Sequence, residues 1–110
     1  MQQYLELNKL YQLLDVEKVV INDNLGVNTP KNKDARKGIA SISIYSGIVD
    51  IYCSDKSIGQ PSSASDMILD RENISGVRIF NKLPDFIYIT GVATYIVISG
   101  AIYEEVEGGF

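Results

Sequence analysis

Histidine and tryptophan are absent from this chain of 110 residues, and cysteine occurs once. Without His the chain lacks the commonest general base, the usual metal ligand and the partner that Ser or Cys nucleophiles need. A single Cys forms neither an internal disulfide nor a thiolate metal cluster, so packing alone must hold the fold. The composition therefore argues against an enzyme and against a resident metal or cofactor.

Positive charge is also scarce, since 10 basic residues face 14 acidic ones for a net charge of −4. Nucleic acids and anionic membranes are polyanions and repel such a chain. The segment MQQYLELNKLYQLL has no positive leader followed by an apolar run, and no apolar run is long enough to span a bilayer. We expect synthesis in the cytoplasm, with no direct nucleic-acid partner and no membrane.

Alternating polarity is the clearest pattern in the middle of the chain. It runs through IASISIYSGIVDIYCSD at 39–55. A period of two is typical of a half-buried β-strand. The pattern predicts that Ile42, Ile44 and Ile51 point into a core. It places Ser41, Ser43 and Asp50 on the opposite faces. Ser46-Gly47, between the two alternations, predicts a tight turn or a bulge.

The last third of the chain repeats the β pattern at 77–80, 86–90 and 94–103. The short breaks between these segments favour antiparallel neighbours, because parallel strands need a long crossover. The last segment has apolar residues on both faces, which is typical of a central strand or one covered by another subunit. Together the pattern predicts a single all-β domain over 1–110, an antiparallel two-sheet β-sandwich of jelly-roll type.

The first fifteen residues are more apolar than a free tail. Leu7, Leu10, Tyr11 and Leu14 have helical spacing, yet an extended segment fits equally well. We expect residues 1–15 to be an N-terminal arm, a short helix or an edge segment, buried on its own sandwich or docked on a neighbouring subunit. VEKVVI at 16–21 predicts a short strand.

Two further segments are polar. Residues 27–38 carry four basic residues and one acid, and predict a mobile basic loop, either a solvated loop or a patch for an acidic partner or nucleic-acid phosphate. Residues 104–110 form an acidic tail that ends in an aromatic residue, either frayed or anchored in a groove on a partner. The candidate partner-binding residues are Tyr4, Leu7, Leu10, Tyr11, Lys31, Lys33, Arg36, Lys37 and Phe110.

Three strings carry a family resemblance. The segment at 49–55, VDIYCSD, resembles the strand and turn that open a loop in discoidin-like jelly rolls. LPDFIYI at 83–89 is similar to the penultimate strand of that family, and IVISGAIYE at 96–104 to its closing strand. Similar small sandwiches occur in bacteriophage virions as fibre, decoration, connector and tail modules.

The resemblance implies a non-enzymatic structural or assembly protein of a virion, with other copies of itself and other virion proteins as partners. The alternative that it leaves open is a carbohydrate- or receptor-binding module. Strand tyrosines could stack on a sugar, but they are more often core or interface residues. The Trp and His that commonly line such sugar sites are missing here.

Overall fold

The computed structural model describes residues 2–16, 40–55, 59–72, 76–80 and 83–110. Nine β-strands account for much of this part of the chain. They are β1 (Gln2–Leu5), β2 (Leu10–Val16), β3 (Ala40–Tyr45), β4 (Ile48–Ser54), β5 (Ile68–Glu72), β6 (Val77–Phe80), β7 (Phe86–Val92), β8 (Tyr95–Ser99) and β9 (Ala101–Glu105). A single turn of 3-10 helix, Ala64–Asp66, precedes β5.

The strands form two antiparallel sheets. The front sheet has the order β1-β8-β3-β6, and the back sheet has the order β5-β4-β7-β2-β9. Within them β1 pairs with β8, β2 with β7, β3 with β6 and β4 with β5. This nested pairing is what results when one long antiparallel hairpin is rolled up, which is the jelly-roll arrangement. The predicted all-β antiparallel sandwich is confirmed, with β9 added beside β2.

The core lies between the two sheets. Ile42 and Ile51 are fully buried and Ile44 nearly so, which confirms the predicted register of both alternations. Ser41 and Ser43 lie half-buried on the outward face of the front sheet, as expected, and Asp50 is half-buried on the outward face of the back sheet. The strict alternation of β3 therefore reflects one buried and one outward face.

The sequence of residues 4–14 is compatible with a helix or a strand, and in the structure it contributes to the two strands β1 and β2. β1 is an edge of the front sheet, whereas β2 lies inside the back sheet between β7 and β9. Asn8 has a left-handed backbone conformation in the connection. Leu5 and Leu10 are buried by the chain's own sandwich and Leu7 and Leu13 are buried in part, whereas Leu14 is 59% exposed.

Two expectations for the last third are wrong. Residues 94–103 are not one strand, because Gly100 at φ +96° lets the chain pass from β8 in the front sheet to β9 in the back sheet. The short breaks at 81–85 and 91–93 also predicted neighbouring strands, but β7 lies in the back sheet while β6 and β8 lie in the front sheet. Ser46-Gly47 crosses in the same way, and a Cβ on Gly47 would overlap the backbone of Val92.

The basic loop expected at 27–38 and most of the strand expected at 16–21 lie outside the described residues. At the other end of the chain, Glu104 and Glu105 belong to β9, and the backbone N–H of Val106 donates to the carbonyl of Leu10 at 2.8 Å. The expected acidic tail thus starts inside a strand.

Candidate functional site

The outward side of the front sheet, here called the front face, is the most unusual surface of the described chain. The strand registers place its residues in rows that run across β1, β8, β3 and β6. One row contains Tyr4, Val97, Ser43 and Val77. The whole face consists of Gln2, Tyr4, Ser41, Ser43, Tyr45, Val77, Ile79, Tyr95, Val97 and Ser99.

The front face, as far as the structure describes its strands, contains no Asp, Glu, Lys or Arg. In the whole chain 22% of residues are of those types. Large apolar side chains are exposed instead, with Tyr4 at 72%, Ile79 at 62% and Val77 at 57% of full exposure. Sheet surfaces that face only water normally carry polar and charged residues, so this composition is typical of a surface that another molecule covers.

The front face has small side chains at its centre and large ones at its edges, an arrangement here called the trough. Its floor consists of short side chains on the two central strands, Ser41, Ser43, Val97 and Ser99. Tyr4 rises along one edge, and the aliphatic side chains of β6 rise along the other. The large side chains therefore stand around a floor of small ones.

Three tyrosines close one end of the trough. The rings of Tyr45 and Tyr95 are stacked, with centroids 4.3 Å apart and planes at 23°. Tyr4 meets Tyr95 edge-on at 5.9 Å. Such ring contacts fix the orientation of side chains that are nevertheless exposed. The trough therefore has a preformed aromatic wall.

The outward side of the back sheet is different because the chain itself covers part of it. Leu10, Met67 and Phe86 form a second buried cluster there, with Tyr52, Tyr88 and Val106 packed against it. The loop that precedes β5 supplies Met67. The segment at 106–110 folds back so that Phe110 meets the Tyr88 ring at 4.6 Å.

A shallow groove of about 370 Å³ lies beside this segment. Lys9 and Glu105 stand at its rim, 3.9 Å apart and both about half exposed, and Tyr88 and Phe110 line it. An exposed ion pair of this kind contributes little to stability. The groove offers a small mixed surface on the back sheet.

Two of the edge strands, β9 and β6, carry features that oppose pairing with another strand. On the side where β1 and β9 are the edges, the Gln3 amide accepts a hydrogen bond from the Tyr103 N–H at 2.9 Å and donates one to the Tyr103 carbonyl. On the other side, the inward position Arg78 of edge strand β6 places its guanidinium 4.9 Å from the centre of the Phe80 ring. Inward charges and occupied backbone groups both discourage pairing with another strand.

A small polar group lies inside the sandwich around Tyr103. The Tyr103 hydroxyl donates a hydrogen bond to the carbonyl of Pro84 at 2.6 Å. Burial raises the pKa of Tyr103 well above its ordinary value, and the charges of Cys53 and Asp85 act in the same direction. The Tyr103 hydroxyl therefore stays protonated at neutral pH and bonds β9 to the residues that precede β7.

The candidate partner-binding residues are scattered by the fold. Tyr4 lies on the front face, Leu7 and Tyr11 pack in the core, and Leu10 belongs to the back cluster. The Tyr11 hydroxyl accepts a hydrogen bond from the Glu6 N–H at 2.9 Å. Phe110 packs on Tyr88, and Lys31, Lys33, Arg36 and Lys37 lie outside the described residues.

Sequence reasoning missed most of the front face, namely Tyr45, Val77, Ile79 and Tyr95 as a set. The signal that pointed there was the presence of apolar residues on both faces of the segment that became β8. The sequence pattern does not give the strand order, and only the strand order brings β1, β8, β3 and β6 side by side.

No family model, curated protein or solved structure matches this chain. Among the described residues there is no group of three His, Cys, Asp or Glu side chains placed to hold a metal ion. None of the helices in the described ranges is both long and apolar enough to cross a membrane.

Proposed function

We propose that this chain is a non-enzymatic structural subunit that assembles into a larger particle through its front face. The observation that carries the proposal is the exposed, uncharged and partly aromatic front face on a sandwich whose other outward side is covered in part by the chain itself. Contiguous exposed apolar surface of this kind marks interaction sites in soluble proteins.

The particle that we propose is a bacteriophage virion, with the chain as a fibre, decoration, connector or tail subunit made in the host cytoplasm. Two features support this choice. The nested pairing of β1 to β8 is the jelly-roll arrangement, which is frequent in viral capsid proteins. Two of the three strings similar to discoidin-like modules map onto single strands, β4 and β7, whereas the third is divided between β8 and β9. Fold alone does not determine function, so the front face remains the main support.

Mass spectrometry of particles purified from the organism that encodes the chain tests this proposal. We expect the chain to travel with the particles through a density gradient and to remain bound after washing. Particles that lack the chain, with all of it in the soluble fraction, would contradict a structural role in them.

A carbohydrate- or receptor-binding module is the second candidate, and one observation favours it. The stacked pair Tyr45 and Tyr95 stands beside a floor of serine hydroxyls, and aromatic rings with hydroxyls nearby can hold a sugar. A glycan array separates the two functions, because a binding module retains a specific glycan that a Tyr95→Ala variant loses.

A further inference from the structure

We infer that the front face binds a second copy of this chain, so that Tyr4 of each copy lies over Ser43 of the other. The inference rests on the proposed function and names the partner of the same surface. Three properties of the front face support the inference: its charge, its shape and its area.

The charge of the front face suits a copy of itself. In a symmetric dimer the same patch meets itself, so a charged side chain near the symmetry axis faces an identical charge. Facing like charges costs several kcal/mol at an interface. The described front face carries no Asp, Glu, Lys or Arg, although the chain has 24 of them by the count of 10 basic and 14 acidic residues. A partner chosen for electrostatic attraction would require charges on this surface.

The shape of the front face is also complementary to itself. Tyr4, Val97 and Ser43 lie on one line across β1, β8 and β3. A two-fold axis parallel to β8 and above Val97 turns each Tyr4 onto the Ser43 position of the other copy. Tyr4 of one copy then fills the low floor of the other, which is how packed layers interdigitate, while Tyr95 of one copy meets Tyr95 of the other at the end of the trough. In this arrangement the β6 residues Val77 and Ile79 lie outside the overlap.

The area sets the strength of the contact. At their exposed fractions, the side chains of β1, β8 and β3 on this face present roughly 500 Å². Two copies would bury roughly 1,000 Å² in total, which is the lower limit for a specific interface. We therefore expect self-association that depends on concentration, with dissociation constants on the order of micromolar rather than nanomolar.

Sedimentation velocity of the purified chain from low to high micromolar concentration tests the inference. We expect a monomer–dimer equilibrium. Ser43→Phe fills the floor that Tyr4 must occupy and should leave the chain monomeric throughout, whereas Ser43→Ala keeps the floor low and should dimerise like the original chain. Tyr4→Ala should weaken dimerisation by at least about 30-fold, because each dimer loses two central aromatic contacts.

Val77→Lys is the control within the same face. Since Val77 lies outside the overlap, this variant should dimerise like the original chain, and its monomerisation would overturn the proposed arrangement. Every variant is first compared by its unfolding midpoint. Tyr4, at 72% exposure, contributes little to the core, so Tyr4→Ala separates loss of association from loss of folding.

The outcomes also separate this inference from the proposed function. A chain that is monomeric at every concentration, yet is lost from particles on Ser43→Phe substitution, overturns self-association and leaves the structural role intact, with a different virion protein on the face. A dimer that Ser43→Phe leaves unchanged uses another surface and overturns the inference as well. A chain that binds glycans through Tyr95 and neither dimerises nor joins particles overturns both.

Discussion

At the scale of single residues, Ile44 and Ser43 show how neighbours on one strand have opposite roles. Ile44 is almost completely buried between the sheets, while Ser43 lies on the front face. Truncating a buried Ile removes its transfer free energy and leaves a cavity, so Ile44→Ala should lower the free energy of unfolding by about 2–5 kcal/mol. Ser43→Ala should stay within about 0.5 kcal/mol. Denaturant unfolding of the two variants measures the difference, and equal losses would show that the register of β3 is wrong.

Tyr103 ties stability to alkaline pH. Because burial raises the pKa of Tyr103 in the folded chain, the unfolded chain loses this proton first as the pH rises. The stabilising contribution is complete below the ordinary tyrosine pKa of about 10 and is lost progressively above it. Burial raises the pKa of Tyr11 as well, so the two residues act in the same direction.

Chemical unfolding between neutral and strongly alkaline pH measures this dependence. The free energy of unfolding should fall above about pH 10, by up to about 1.4 kcal/mol per pH unit through the Tyr103 proton. Tyr103→Phe should be less stable at neutral pH, because the Pro84 carbonyl loses its donor, yet its stability should fall less steeply with pH. An identical slope for both chains would show that Tyr103 does not control the alkaline limit.

At the scale of elements, the contact between β1 and β9 joins the edges of the two sheets through one side chain. Gln3 takes both the N–H and the carbonyl of Tyr103. Two hydrogen bonds of this kind are worth about 1–3 kcal/mol together. Gln3→Ala should lose that amount and should speed the hydrogen exchange of the Tyr103 amide. Gln2→Ala, on the exposed side of the same strand, is the control and should change neither quantity.

Local pattern predicted the strands better than their arrangement. The alternation at Ala40–Tyr45 and Ile48–Ser54 determines which residues are buried, because side chains of a strand alternate between faces. Alternation alone places Gly100 within a strand, yet its positive φ allows a change of sheet that alternation does not reveal. The apolar residues of 4–14 fit a helical and an extended period equally well. Residues 10–16 form a strand because they pair with β7 and β9.

The front face could not be predicted for the same reason. Its rows combine residues that are far apart in the chain, such as Tyr4 and Val97, and only the pairing of β1 with β8 makes them neighbours. The candidate residues chosen from the sequence included Tyr4 but also Leu10 and Tyr11, whose apolar character serves the chain's own core. A residue's exposure depends on topology, which short segments do not encode.

At the scale of the whole molecule, the charged residues of the described strands lie away from the front face. The chain has a net charge of −4, while the described front face carries no acid or base of the Asp, Glu, Lys or Arg type. Association through that face should therefore not weaken when salt is raised, and screening of the net charge should strengthen it slightly. Sedimentation at low and high ionic strength measures this. Dissociation by salt would place charged residues at the interface instead, such as those at 31–37.

The central claim is that the front face is the assembly surface. The most direct test compares the self-association and particle entry of the variants Ser43→Lys and Thr90→Lys. Both positions are half-buried hydroxyl residues on central strands, Ser43 on the front face and Thr90 on the outward face of the back sheet. A lysine at position 43 places a charge in the middle of the proposed interface. We predict that Ser43→Lys abolishes self-association and entry into particles while Thr90→Lys leaves both unchanged. Equal behaviour of the two variants, whether both assemble or both fail, would contradict the assignment of the front face as the assembly surface.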